Sequence, residues 1–283
     1  MSEQSNWLPP VWADEPPKPP EQPKRVPVWA PFAALLAALF VIGLISAVAF
    51  ALVKANDPTV TADNAPVSFT LILTFVQDAA FVFAAFITVH IALGAARRED
   101  FGLRRIRNLG PTIGWMALVM LGFWIVQAVL VQINEPKDQQ LVTDVKAEDS
   151  FAILASYFLL ICLVAPLVEE FFFRGFLFGV LWKRLGVWWG ALIGAAIFGL
   201  GHAPAPWVSL VALGAFGFGL CLLYARTQSI VPGMALHALN NSITFGAIKD
   251  LDPAAFAGVV VGSVCVVTAV GAALSARSAQ VAR

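Results

Sequence analysis

Charged residues are scarce in this chain. Asp, Glu, Lys and Arg make up 13% of its 283 residues, whereas apolar residues make up 59% and the mean hydropathy is +0.79. A soluble globular domain has about 25% charged residues and an apolar share nearer half. The composition therefore excludes an ordinary soluble domain and indicates a polytopic membrane protein.

Basic residues are not in excess either, because 18 Lys and Arg balance 18 Asp and Glu. A nucleic-acid partner would require a concentrated basic face, so we expect none. Cysteine is also rare: Cys162, Cys221 and Cys265 each fall in an apolar run, without the spacing of a zinc knuckle or a disulfide framework. We expect all three to be buried small hydrophobic residues.

The first 30 residues differ from the rest of the chain. Residues 1–30 contain eight of the 18 prolines, mixed with charged residues. Such a stretch cannot bury a core. It is therefore predicted to be a disordered, proline-rich cytoplasmic tail.

Eight apolar runs follow this tail. A helix needs about 20 residues to cross about 30 Å of hydrocarbon. The runs lie near residues 31–53, 67–93, 111–132, 151–184, 187–203, 206–225, 230–248 and 255–275. The sequence thus predicts an all-α membrane bundle of about eight transmembrane helices, with three N-terminal helices in 31–132, a core in 151–248 and a last helix in 255–275.

The loops between the runs predict the orientation. Five arginines lie between residues 97 and 107 against two acidic residues, whereas the loop before residue 151 is mainly acidic. Short cytoplasmic loops collect Lys and Arg, so the first of these loops is predicted to be cytoplasmic, and an even number of spans places both termini there too. The richness in Ala, Gly and Val and the short loops favour a bacterial cytoplasmic membrane, with lipids as partners.

Three polar places interrupt the apolar runs. Glu169, Glu170 and Arg174 lie within 151–184, His202 ends the next run, and His237 and Asn241 lie in the run near 230–248. Ionised side chains at bilayer depth are costly, so a functional role is the default hypothesis. Counted from turns at one membrane face, Glu169 and His202 lie at a similar depth, about 24 Å in, and the third place is shallower.

These residue types permit hydrolysis of a peptide bond without a nucleophilic serine. A carboxylate in an apolar pocket, Glu169 or Glu170, takes up a proton readily and suits a general base for water. Arg174 could hold the second carboxylate ionised. His202 could share the water, and His237 and Asn241 could donate hydrogen bonds to an oxyanion.

A zinc mechanism uses the same side chains. His202, His237 and Glu169 with an open fourth position would suit the metal, although a His-Glu-x-x-His motif is absent. We favour a mechanism that requires no cofactor, and zinc stays open.

Other interpretations also stay open. Glu170 and Arg174 could simply neutralise each other as an i,i+4 pair, with the histidines bonding backbone carbonyls. Asp78, mid-span in the second run, could bond another helix or support the site. As a whole, the chain could be a proton-coupled transporter, although we find no internal repeat typical of one, or a non-catalytic immunity or scaffold protein.

The motifs carry a resemblance. Glu169-Glu170-x-x-x-Arg174, Phe198-x-x-x-His202 and His237-x-x-x-Asn241, in this order on successive helices, resemble the motifs of the type II CAAX prenyl protease family, also called CPBP or Abi intramembrane proteases. The resemblance covers roughly residues 150–248. It implies an all-helical membrane endopeptidase in which Glu169 activates water with His202 while His237 and Asn241 hold the oxyanion.

The resemblance does not define the substrate, because eukaryotic members of the family cut prenylated CAAX proteins, while bacterial relatives are linked to bacteriocin immunity or peptide maturation. From the joint placement of the site residues we expect a membrane-tethered or lipid-modified protein or peptide as the substrate. Members of the family are described both as metalloproteases and as glutamate-dependent proteases, so the resemblance leaves the metal open.

Overall fold

The computed structural model describes residues 24–61, 65–133, 140–203 and 205–276, and in these residues every regular element is helical. The prediction of an all-α protein is confirmed. The described α-helices are α1 (Ala30–Asn56), α2 (Val67–Leu93), α3 (Leu109–Ile133), α4 (Gln140–Ala147), α5 (Phe151–Leu185), α6 (Val187–Leu200), α7 (Trp207–Thr227), α8 (Val231–Ile248) and α9 (Pro253–Ala276). Residues 1–23 of the predicted disordered tail lie outside the described residues.

The protein is a multi-pass integral membrane protein. Six of its described helices are long and apolar enough to cross a membrane: α1, α2, α3, α5, α7 and α9. Helix α6 is apolar but has 14 residues, and α8 has 18 residues that include the polar motif. All eight predicted spans are thus helices, whereas their full count as crossings and the cytoplasmic termini stay predictions.

Apolar side chains cover the outside of the bundle. Phe40, Phe83 and Ile91 are among many large apolar residues that are exposed, whereas the middle of α5 is buried. This distribution suits helices surrounded by lipid, which is as apolar as their side chains. Cys162 and Cys221 are buried as expected, but the expectation for Cys265 is wrong, because α9 turns this residue outward.

Helix α5 is the central element. It contacts α2, α6, α7 and α8, while α6 packs along α7 and α8 along α9. Two stretches of α5 are π-helical, Leu159–Val164 and Glu170–Phe178. Its end at Leu185 is fixed by Gly186, whose φ of 82° lies in the left-handed region, and α6 starts at the next residue.

The loop after α2 folds onto α5. It contains a short 3₁₀ helix, Arg98–Phe101, and the buried ring of Phe101 stacks on Phe171 at a centroid distance of 4.4 Å. A Cβ atom at Gly175 would overlap the carbonyl oxygen of Phe101, so only glycine permits this approach. Ile230 N also donates to the Gly102 carbonyl at 3.0 Å, which ties the loop to the start of α8.

We expect Gly175→Ala to destabilise the protein by about 1 to 3 kcal/mol, because the added methyl group meets backbone that cannot move aside cheaply. The free energy of unfolding in mixed micelles measures this change. Gly114→Ala is the matched control, since nothing lies within 4 Å of a Cβ atom there. Equal stabilities of the two variants would contradict the close approach of the loop.

Candidate active site

A buried ion pair forms the centre of the candidate site. Glu170 is 0% exposed and Arg174 is 1% exposed, and Arg174 Nη1 lies 2.8 Å from Glu170 Oε1. The guanidinium carbon also lies 4.1 Å from the centroid of the Phe198 ring, a cation–π contact that favours a desolvated Arg. The i,i+4 pair that the sequence suggested as a structural alternative is therefore formed.

Two glycines give this pair its space. A Cβ atom at Gly233 of α8 would lie 2.7 Å from Glu170 Oε2, and one at Gly217 of α7 would lie 3.2 Å from Arg174 Nη2. Neither glycine is predicted from the sequence as part of the site. A usable signal existed for Gly233, because it precedes His237 by four residues and so shares its helix face.

His237 lies between the two carboxylates. Its buried ring places Nδ1 3.2 Å from Glu170 Oε1 and Nε2 3.9 Å from Glu169 Oε2. The rings of Phe198 and Phe216 meet the imidazole edge to face at centroid distances of 6.1 and 5.7 Å. With Nδ1–H donated to Glu170, the imidazole is held with Nε2 turned towards Glu169.

Glu169 is the more open of the two glutamates. Its side chain is 18% exposed. Its Oε2 atom is buried, and no group in the described ranges makes a hydrogen bond with it. Asp78 of α2, 4% exposed, interacts electrostatically with Glu169, so the structure supports its interpretation as a neighbour of the site.

His202 packs against Phe198. It lies half-buried just after α6, its Nδ1 is 2.8 Å from the Phe198 carbonyl oxygen, and its ring packs edge to face on the Phe198 ring at 4.9 Å. Among the described residues it makes no polar contact with either glutamate. The imidazole that touches the acid pair is His237, and Phe198 is the ring that both histidines share.

Asn241 ties α8 to α5. Its Nδ2 donates to the Ile161 carbonyl at 2.8 Å. Ala165 N–H bonds the carbonyl of residue 160, five positions back, so the next bond in this π-helical register would run from Pro166 to Ile161. Proline has no N–H, and the Asn241 amide satisfies the carbonyl that Pro166 leaves free. One amide hydrogen of Asn241 thus has a structural partner.

The zinc ligand set of the sequence analysis is not assembled. In the described part of the chain, no three His, Cys, Asp or Glu side chains are grouped so that they could hold a metal ion. The Nδ1 atoms of His202 and His237 bond Phe198 and Glu170 respectively. The Nε2 atoms are the remaining possible ligands of the two rings, but His202, His237 and Glu169 are not grouped as a zinc site in this part of the chain.

The region that contains the candidate site is similar to known proteins. The family model for type II CAAX prenyl endopeptidase Rce1-like proteins matches residues 151–243. A Bacillus subtilis protein named "Putative membrane peptidase YdiL" is 33% identical over 181 residues, which cover 60% of this chain and 69% of that protein. An Escherichia coli protein named "Uncharacterized 24.3 kDa protein" is 32% identical over 130 residues, which cover 44% of this chain and 57% of that protein. No solved structure matches the chain.

We expect Arg174→Met to lower the free energy of unfolding by about 3 to 5 kcal/mol, because it leaves the Glu170 carboxylate buried without its cation. Arg226→Met is the control, since this exposed Arg lies over Trp115 at 5.8 Å and its loss should change stability by about 1 kcal/mol or less. Denaturation in mixed micelles compares the two. Similar losses in the free energy of unfolding would show that the buried ion pair stabilises the protein no more than the exposed contact does.

A double-mutant cycle tests the bond from Asn241 to Ile161. Asn241→Ala should destabilise by about 1 to 3 kcal/mol with Pro166 present, and by less with Pro166→Ala, where residue 166 gains an N–H donor. Asn240→Ala is the control, because its side chain bonds Asn241 rather than the helix backbone of α5. Equal coupling of both asparagines to Pro166 would refute the assignment.

Proposed function

Because the chain belongs to the type II CAAX prenyl endopeptidase Rce1-like family, we propose that it is an intramembrane endopeptidase acting on a membrane-tethered or lipid-modified protein or peptide. The observation that carries this proposal is the contact of His237 with both glutamates inside a buried cluster. A bacterial cytoplasmic membrane is the proposed location.

Glu169 is the proposed general base. Its buried Oε2 has no hydrogen-bond partner in the described ranges, while its side chain keeps some exposed surface. A water molecule bonded there would lose a proton to the carboxylate as its oxygen attacks the scissile carbonyl carbon. The new C–O bond forms, and the electron pair of the C=O bond moves onto the carbonyl oxygen.

His237 is the proposed proton carrier. The proton taken by Glu169 can pass to His237 Nε2 once their separation of 3.9 Å shortens to hydrogen-bond distance, while Nδ1–H keeps its hydrogen bond to Glu170. The resulting imidazolium would lie between two carboxylates, with Arg174 compensating Glu170. Its Nε2–H would then stabilise the oxyanion. As the C=O bond re-forms and the C–N electron pair leaves with the nitrogen, this proton would pass to the nitrogen and return His237 to its neutral form.

His202 and Asn241 complete the proposed site. His202 Nε2 is not the nitrogen that bonds Phe198, and the half-buried ring could share the attacking water from the more open side. The second amide hydrogen of Asn241 could contribute to the oxyanion site. Because the possible metal ligands are not grouped, the proposed mechanism runs without zinc.

Glu169→Gln should reduce peptide cleavage about 100-fold or more, because the amide keeps the side-chain size but cannot accept the proton. Cleavage of a fluorogenic peptide library by the purified protein in detergent measures this loss. Glu99→Gln makes the same chemical change in the loop before α3 and should stay within about twofold of the unmodified protein.

A zinc chelator should leave the rate of the unmodified protein unchanged. Full cleavage by the Glu169→Gln variant would refute the role of this residue. Loss of cleavage on chelation, restored by added zinc, would refute the metal-free mechanism but not the peptidase. A variant with both glutamates replaced that cleaves no peptide but still confers bacteriocin immunity would identify a non-catalytic member of the family.

A further inference from the structure

A second polar pocket lies at the carboxyl-terminal end of α5, about 20 Å along the helix from Glu170. It has a volume of 330 Å³. Lys24 and Arg25, which precede α1, meet Lys183 and Arg184 from the last turn of α5 around it, and Asp100 is the one acidic residue in its lining. Two segments far apart in the chain thus concentrate positive charge at one place.

Most of this charge has no carboxylate partner in the part of the chain that the structure describes. Lys24, Arg25 and Lys183 form no ion pair with a carboxylate among the described residues. Arg184 donates from Nε and Nη2 to the carbonyl of Val26 at 3.3 and 2.9 Å, which holds the segment before α1 against α5. Asp100 Oδ2 accepts from a backbone amide at 2.8 Å. The cations therefore remain available for an anion.

The floor of the pocket is apolar. It consists of Val89 and Leu93 from α2 and Phe176 and Val180 from α5. A free inorganic anion gains nothing from such a floor, whereas a lipid places a charged phosphate next to glycerol and acyl carbons. Basic pockets between transmembrane helices at the cytoplasmic side are typical sites for anionic headgroups. The basic loops predict this face to be cytoplasmic.

We propose that this pocket binds the phosphate-bearing headgroup of an anionic membrane lipid. The four cations surround the phosphate, and the first acyl carbons lie on the apolar floor. The site is separate from Glu169 and His237, so this binding stands whether or not the protein cleaves peptides. Because the pocket joins α2, α5 and the segment before α1, the bound lipid would hold these parts together at the end of the helix that carries the acid pair.

Native mass spectrometry of the full chain in detergent tests this proposal. The protein is titrated with dioleoyl phosphatidylglycerol and, separately, with dioleoyl phosphatidylcholine. We expect tight binding of the anionic lipid alone, weakened about tenfold or more by Arg25→Gln with Lys183→Gln, because each cation near a headgroup strengthens binding. The charge-keeping pair Arg25→Lys with Lys183→Arg should retain the affinity.

Arg105→Gln with Arg107→Gln is the matched control. It removes the same charge from exposed positions in a loop of the same predicted face but outside the pocket, so affinity should change less than about twofold. Equal binding of both lipids, or equal losses in the pocket and control variants, would overturn the proposal. Displacement of the lipid by millimolar inorganic phosphate would overturn it too and assign the pocket to free phosphate.

Discussion

The contact between Glu170 and Arg174 constrains everything packed around the middle of α5. Each of two such charges loses several kcal/mol of hydration when it is buried, and their attraction compensates this loss only with close and well-placed neighbours. The neighbours here are the Phe198 ring, His237 and the backbones of α7 and α8. Small and aromatic residues therefore occur on these helices at the positions that face the ion pair.

The same constraint explains why other elements contact α5 at several positions along its length. Its π-helical stretches change the hydrogen-bond register of the backbone, and such stretches leave groups that other elements must satisfy. Asn241 satisfies the carbonyl of Ile161 before the acid pair, and Phe101 packs against Gly175 after it. Glu169 lies between these two fixed points. Its position is thus determined by α8 and by the loop after α2 as much as by its own helix.

Much of the fold could be predicted from the sequence, because long apolar runs dictate helices in a membrane. The depth count was less informative, because it placed His237 and Asn241 shallower than Glu169, whereas the structure brings His237 within 3.9 Å of both glutamates. It could not show that His237, and not His202, touches the acids, because it assumed the α-helical rise throughout and α5 is partly π-helical. Nor could it show the bond from Asn241 to Ile161, which depends on that register. Helix α4 was missed because it is short and polar.

Exposure divides the site into two parts. Glu170 and Arg174 are 0% and 1% exposed, so a peptide cannot reach them, whereas His237 keeps 6% and Glu169 keeps 18% of their side-chain surface, and His202 is half-buried. In the proposed mechanism, water and substrate approach from the side of Glu169 and His202. The ion pair of Glu170 and Arg174 then keeps its charges while the more open part of the site exchanges substrate. The proposed mechanism needs both a dry ion pair and a reacting water. One helix can provide for both because its neighbouring residues Glu169 and Glu170 face different surroundings.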